Sequence, residues 1–482
     1  MSTRYRPSIG MEVHAQLLTE SKMFCGCATR FGDRPNTNVC PVCLGLPGTL
    51  PVPNRKAVEH VIRTALALNC RIAPLAVFYR KNYFYPDLPK GYQISQYGEI
   101  HPIGTHGYLE IEINGERKRI GIRRVHLEED TGKLFHYLPG ESEVDYNRAG
   151  VPLMEIVTEF PPDIHSAEEA REYLVQLRAI LTYLRVCDGK MEEGSLRCEP
   201  NISVAPEDSD TLGVKTELKN LNSFRSVVRG IEFEVQRQIE VLESGGKVVQ
   251  ETRGWSEEGA YSFPMRTKEF EQDYRYFPEP DIVPIQITEA WLESLRATLP
   301  ELPLAKADRY RKEYGLSDYD AKVLTAEYDT AEYFERCVAL GVEPKTACNW
   351  ITVELQARLN ETNLPISQAR LTPAHLADLV GLIKNGTITG RIAKELFDEV
   401  FQSGEMPSKL VQERGMVQIS DEEALRAAAR QVIAENPDTV EKYRSGKTTV
   451  IGFLVGQVMR ATQGRANPQR VQELLREELE RV

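Results

Sequence analysis

Residues 9–17 alternate strictly: Met11, Val13, Ala15 and Leu17 fall on one side of an extended chain, and Glu12 and His14 on the other. The same period of two returns at Leu109, Ile111 and Ile113 and again at Ile120 and Ile122. Asn114-Gly115 lies between the two runs and accepts the positive φ angles of a type I′ turn, so a hairpin is predicted. Past Ile122 the apolar positions move to Val125 and Leu127, which predicts a bulge and puts Glu129 on the face opposite Glu128. A helical period begins after Ser166, a capping residue with Glu169 at the capping-box position, and Leu174, Leu177, Leu181 and Leu184 make its buried stripe. A further helix is predicted over 223–244, with Ile231, Val235, Ile239 and Leu242 on one side and a stop at Gly245-Gly246. Together these patterns predict an α+β domain on an antiparallel sheet over residues 1–293. After Pro280 and Pro284 the pattern becomes helical, giving an all-helical domain over 294–409 and a small helical tail over 410–482.

The chain has 482 residues, 41% hydrophobic and 27% charged, which excludes disorder and collagen-like fibre and supplies several cores. No stretch approaches the roughly 18 to 20 apolar residues of a membrane span, and the first residues lack the apolar segment of a secretory signal. A cytoplasmic protein with no membrane contact is expected. The net charge of −12 argues against coating nucleic acid through the overall field, so any RNA contact must be local. One local run qualifies: Lys442, Arg444, Lys447, Arg460, Arg465 and Arg470 occur with no acidic residue among them. Taken alone, such a run is more often a solvated helix face.

Cys25-Gly-Cys27 and Cys40-Pro-Val-Cys43, separated by twelve residues, offer four soft ligands suited to tetrahedral zinc. Four thiolates leave no open coordination position, so such a metal is structural; free thiols in a reducing compartment are the alternative. Cys70, Cys187, Cys198, Cys337 and Cys348 read as small core residues. Acids and an imidazole recur on strand patterns: Glu12 and His14, His126-Leu-Glu128-Glu129-Asp130, Glu155 inside Leu153-Met154-Glu155-Ile156-Val157, and Arg197-Cys-Glu199. A carboxylate in so apolar a run is costly to bury unless paired or metal-bound. Oxygen-rich sites with one imidazole suit magnesium or manganese, and two such ions can clamp a phosphoryl group. Arg80-Lys81-Asn82-Tyr83-Phe84-Tyr85 and Lys90-Gly91-Tyr92 mix charge with aromatic rings, a composition that holds nucleotides. Ser445-Gly446-Lys447-Thr448 imitates the end of a phosphate-binding loop, but Glu441 stands where that loop needs glycine.

The longest of these words resemble the GatB family, the B subunits of the aspartyl/glutamyl-tRNA amidotransferases. The resemblance runs over nearly the whole chain and is carried by Ile9-Gly-Met-Glu-Val-His14, Arg80-Lys-Asn-Tyr-Phe-Tyr-Pro86, Tyr92-Gln-Ile-Ser-Gln96, Met191-Glu-Glu-Gly-Ser-Leu-Arg197, Glu217-Leu-Lys-Asn-Leu-Asn-Ser-Phe224, Asp273-Tyr-Arg-Tyr-Phe-Pro278 and Gly452-Phe-Leu-Val-Gly-Gln457. It implies ATP- and magnesium-dependent phosphorylation of the side-chain carboxylate of Glu on tRNA(Gln), or of Asp on tRNA(Asn), followed by amidation. Ammonia would come from a partner glutaminase of amidase fold, with a third, small partner protein completing a heterotrimer. Carried over by position, Glu12, His14, Glu129, Glu155 and Glu199 would hold magnesium, the last standing where Asp is expected. Glu12, His14, Glu129 and Glu155 would form the catalytic set, and Lys81, Ser195 and Arg197 would hold ATP phosphates. The tail resembles the YqeY family, which implies tRNA contact through Lys442, Arg444, Lys447, Arg460 and Arg465.

Two other classes compete. A noncatalytic RNA-binding scaffold would use the acids and zinc structurally and turn over no ATP. A stand-alone metal hydrolase built on Glu12, His14, Glu129 and Glu155 would need neither a partner nor aminoacyl-tRNA.

Overall fold

A computed structural model describes residues 4–97, 101–135, 140–267, 273–415, 421–462 and 464–481. The chain divides into two compact units, one ending at Lys306 and the other starting at Ala307.

The first unit is built on a nine-stranded sheet. Its strands are β1 (Tyr5–Gln16), β2 (Arg71–Ile72), β3 (Gly104–Ile113), β4 (Glu116–Glu129), β5 (Pro152–Thr158), β6 (Leu196–Pro206), β7 (Thr216–Lys219), β8 (Glu251–Ser256) and β9 (Tyr261–Thr267). They lie in the order β9-β8-β7-β6-β1-β5-β4-β3-β2, so the N-terminal strand is central. All described pairings are antiparallel except β7 with β8. Helices α1 (Arg55–Ala67), α2 (Ala167–Tyr183) and α3 (Phe224–Glu243) pack against the sheet. Met11, Val13 and Ala15 of β1, Met154 and Ile156 of β5, and Val125 and Leu127 of β4 are buried with them in one hydrophobic core.

The β3–β4 hairpin turns at Asn114 and Gly115, both at positive φ. The β4–β5 register shifts between Val157 and Thr158, whose partners are Arg124 and Ile122, leaving Arg123 as the additional residue of a bulge. Ser166 caps α2 by accepting from the Glu169 amide, but the Glu169 carboxylate reaches the amide of His165 rather than that of Ser166. The predicted stripe on α2 is buried.

The inward side of helix α3 is rotated from the one its aliphatic residues predict, with Ile231 common to both and Val235 packed against the core. Val227, Ile231, Glu234 and Gln238 are buried, while Ile239 and Leu242 are only partly covered. The reason is polar: Glu234 and Gln238 meet Thr216, and Glu234 also meets Arg237 and Ser262, in a buried network that leaves Gln238 Oε1 without a partner among the described residues.

The expected domain boundary at 293 falls inside a helix, Glu289–Arg296, that packs on α1 and sends Leu292 and Leu295 to the first core. Leu299 and Leu302 also pack there, so the first unit continues to Lys306. The second unit is helical and holds two hydrophobic clusters. One runs from Ala307 to Val411 in sequence, the other from Leu425 to Leu479. No helix among the described residues is long and apolar enough to cross a membrane.

Candidate active site

Antiparallel pairing places directly opposed residues on one face, and the face of the sheet opposite the helices is charged. His14 lies opposite Glu155 on β5 and Arg197 on β6, Glu12 opposite Glu199, and Glu155 opposite His126. On β7, Glu217 pairs with Asn201 of β6 and adds one more acid to this face.

Two ligand clusters result. In the first, atoms of His14, Glu128 and Glu155 lie within 4.8 Å of one another; in the second, those of Glu12, Glu199 and Glu217 do the same. His14 Nε2 is 3.6 Å from Glu128 and 4.0 Å from Glu155. Cations flank the acids. His126 Nε2 stands 2.9 Å from Glu155, Arg124 lies 3.5 Å from the same carboxylate, and Lys219 Nζ sits 3.1 Å from Glu199 and 3.4 Å from Glu217.

The electrostatics divide the acids by position. Burial raises the pKa of Glu12, and the neighbouring Glu155 and Glu199 raise it further. Burial also works against ionised Glu155, but His126, His14 and Arg124 hold it well below the usual carboxylate range. Burial opposes a charged His126, yet Glu155 and Glu128 lift it to about 9. A carboxylate-rich site with one imidazole and excess negative charge fits hard divalent cations.

Of the five residues expected to hold magnesium, the structure brings together Glu12 with Glu199, and His14 with Glu155, in two adjacent clusters. Glu129 is not among them. Its carboxylate accepts from Lys90 Nζ at 2.6 Å and from the Ile94 amide at 2.9 Å, and Glu128 occupies the place beside His14. The bulge is the cause: after Arg123 the parity of β4 sends His126 and Glu128 to the charged face. Three residues of this face stand outside the expected ligand set: Glu128 and His126, which the polar run after Val125 contains, and Glu217, which appears only within a family motif. Thr216-Glu217-Leu218-Lys219 carries the same alternation of acid and apolar residue as β1, which was the available signal.

Lys81, on the strand Tyr79–Asn82, lies with its ammonium 4.8 Å from the Tyr274 ring centre. Burial opposes its charge, but Glu128, Tyr276 and Glu155 raise its pKa above the ordinary value. Tyr83, Tyr274, Tyr276 and Tyr97 make an aromatic wall beside it, Tyr97 and Tyr276 stacking at 4.2 Å. Its neighbour Arg80 is committed elsewhere, in a two-pronged pair with Glu279. Arg197 makes two 3.2 Å contacts to buried Asp130, which also accepts from Gln16 at 2.9 Å. The Ser195 hydroxyl donates to Asp188 and to the Lys190 carbonyl, closing the 188–195 turn.

The sulfurs of Cys25, Cys27, Cys40 and Cys43 also lie within 4.8 Å of one another. Four Zn–S bonds of about 2.3 Å need only a small contraction from this spacing, and the donor set fits zinc. A hydrogen bond from Cys25 is the main cause holding the Cys43 thiol down at about 4. The loop has no regular structure and is tied to α1 by Asn54, which caps that helix and donates to Ser21 O at 3.0 Å.

In the tail, Lys442 and Arg444 lie in the last turn of the helix Pro437–Arg444, Lys447 follows it, and Arg460 ends the helix Ile451–Ala461. All four are exposed. Arg465 is half-buried, and Arg470 is occupied by Glu422 and Glu473. Gly452, Phe453 and Gly456 are exposed on the same helix as Arg460.

The sequence matches the GatB/GatE catalytic domain over residues 7–293 and the GatB domain shared with YqeY over residues 332–479. It is 55% identical over 476 residues to the B subunit of the aspartyl/glutamyl-tRNA(Asn/Gln) amidotransferase of Thermoanaerobacter sp. strain X514, covering 99% of both chains. The protein of the same description from Caldanaerobacter subterraneus subsp. tengcongensis is 56% identical over 476 residues, again 99% of both chains. That from Geobacter sulfurreducens is 55% identical over 479 residues, 98% of this chain and 99% of the relative. The charged face, with Glu12 and His14 at its centre, lies inside the matched catalytic domain, and the chain belongs to the GatB family of amidotransferase B subunits.

Proposed function

We propose that this chain activates the side-chain carboxylate of Glu on misacylated tRNA(Gln), or of Asp on tRNA(Asn), by transfer of the γ-phosphoryl group of ATP, and that ammonia then displaces phosphate to give the amide. The observation that carries the reading is the pair of ligand clusters on one sheet face, His14, Glu128 and Glu155 beside Glu12, Glu199 and Glu217, with Lys81 close by. Magnesium ions held there supply the positive charge that lets the triphosphate and an anionic carboxylate approach one another.

The chain's own residues do the rest. Lys81 offers an ammonium to the phosphates. Arg197, oriented by Asp130, presents a second cation at the edge of the same face. Tyr83, Tyr274 and Tyr276 limit the access of water, which would otherwise hydrolyse an acyl phosphate before ammonia arrived. His126 holds Glu155 in place. Glu129 with Lys90 anchors the end of β4, a role apart from catalysis.

The four cysteines hold a structural zinc. The chemistry lies in the first unit, through Lys306, the helical part that follows ends with Pro407–Arg414, and the tail beyond Gly415 binds tRNA through Lys442, Arg444, Lys447 and Arg460, with Arg465 supporting that surface. A partner glutaminase of amidase fold supplies ammonia, and a third, small protein completes a cytoplasmic heterotrimer. The test is ATP hydrolysis by the complex with magnesium and either Glu-tRNA(Gln) or uncharged tRNA. Turnover that needs the misacylated form is expected; turnover indifferent to the aminoacyl group, or none from an intact complex, overturns the reading.

A further inference from the structure

Lys22 is only 1% exposed, an unusual state for a lysine that no step of the reaction uses. Among the described residues its ammonium has two hydrogen-bond partners, Tyr146 O at 3.1 Å and Cys43 Sγ at 3.7 Å. Its own amide donates to Cys27 O at 2.9 Å, so one residue touches both cysteine pairs. The floor beneath is Gly150, at φ +85°, where an added Cβ would come within 3.5 Å of Lys22 Cδ and 3.6 Å of Cys43 Cβ.

A buried ammonium is costly unless a negative charge lies beside it, and the sulfur 3.7 Å from the Lys22 ammonium is one of the four donors of the cysteine cluster. Zinc bound by four thiolates is a doubly negative complex, which itself needs a compensating cation when half-enclosed. Each group answers the other's need. We propose that Lys22 is a positioning residue of the four-cysteine metal site, neutralising part of the charge of a zinc tetrathiolate and tying it through Tyr146 O to the 146–150 turn. That turn reaches the active face, because the Gly150 amide donates to Asp130 O at 2.9 Å and Asp130 holds Arg197. The inference rests on the zinc reading of the cysteines, whose own failure would appear as a wild-type chain without stoichiometric zinc.

Two variants test it in the full chain copurified with its partner proteins. Lys22→Gln keeps a donor for Tyr146 O and removes the charge, while Lys22→Met removes both. Zinc release to a coloured chelator at fixed pH is expected to be about tenfold faster, or more, in each variant than in wild type. The rise in thermal midpoint between chelator-treated and zinc-loaded protein is expected to shrink, with Lys22→Met no less stable than wild type when zinc is absent. A release rate for Lys22→Gln equal to that of wild type overturns the proposal. So does an equal loss of stability with and without zinc, the behaviour of a lysine that only bonds a carbonyl. Should Lys22→Met fail to fold, release from Lys22→Gln decides alone.

Discussion

Three consecutive acids at the end of β4 have three different tasks. Glu128 faces His14, Glu129 meets Lys90, and Asp130 holds Arg197. Glu128→Gln is therefore expected to lower the rate of amidation by a factor on the order of a thousand with tRNA affinity kept, read from single-turnover amidation and filter binding. Glu129→Gln should instead lower stability by about 2 kcal/mol, because it leaves a largely covered Lys90 without its counter-charge, and urea denaturation measures that loss. Equal kinetic defects in the two variants would contradict the assignment. A pH dependence follows from His126. Its protonated form is favoured up to about pH 9 in the fold against an ordinary value of 6.5, so its contribution is whole below pH 6.5 and is lost as pH rises to about 9. Metal-free protein should lose urea resistance over that window, and His126→Gln should flatten the slope. Glu12, His14, Glu155 and Glu199 were legible because a polar residue inside an apolar alternation is conspicuous. Glu128 was legible too, since the parity of Val125 and Leu127 already turns it to the polar face; the resemblance, matched by position, assigned the metal to Glu129 instead.

At the level of elements, periodicity carried most of the information. The hairpin at Asn114-Gly115 and the α2 stripe follow from local chemistry alone. Ser166→Ala should cost about 1 kcal/mol through loss of the bond to the Glu169 amide, seen in chemical denaturation with no change in metal content. Helix α3 resisted the same logic. Its inward side is chosen by Glu234 and Gln238 meeting Thr216 and Ser262, partners distant in sequence that no periodic pattern contains. The strand Thr216–Lys219 was hidden for a related reason, being only four residues long.

For the whole molecule, the last helix of the first hydrophobic cluster in the second unit, Pro407–Arg414, contributes Leu410 and Val411 to it. A truncation meant to remove the tail should therefore follow Gly415. Its expected result is tRNA affinity reduced by roughly tenfold or more at moderate salt, with a shallower salt dependence, and unchanged metal binding in the first unit. The carboxylate face of the sheet has a cost that selection for durability alone would remove. Burial disfavours Glu12 as an anion, and Glu155 and Glu199 each repel it from a neighbouring strand. Neutral Glu12→Gln should thus make the chelator-treated protein harder to unfold while abolishing amidation, so that the substitution most welcome to the fold is among the least welcome to the cell.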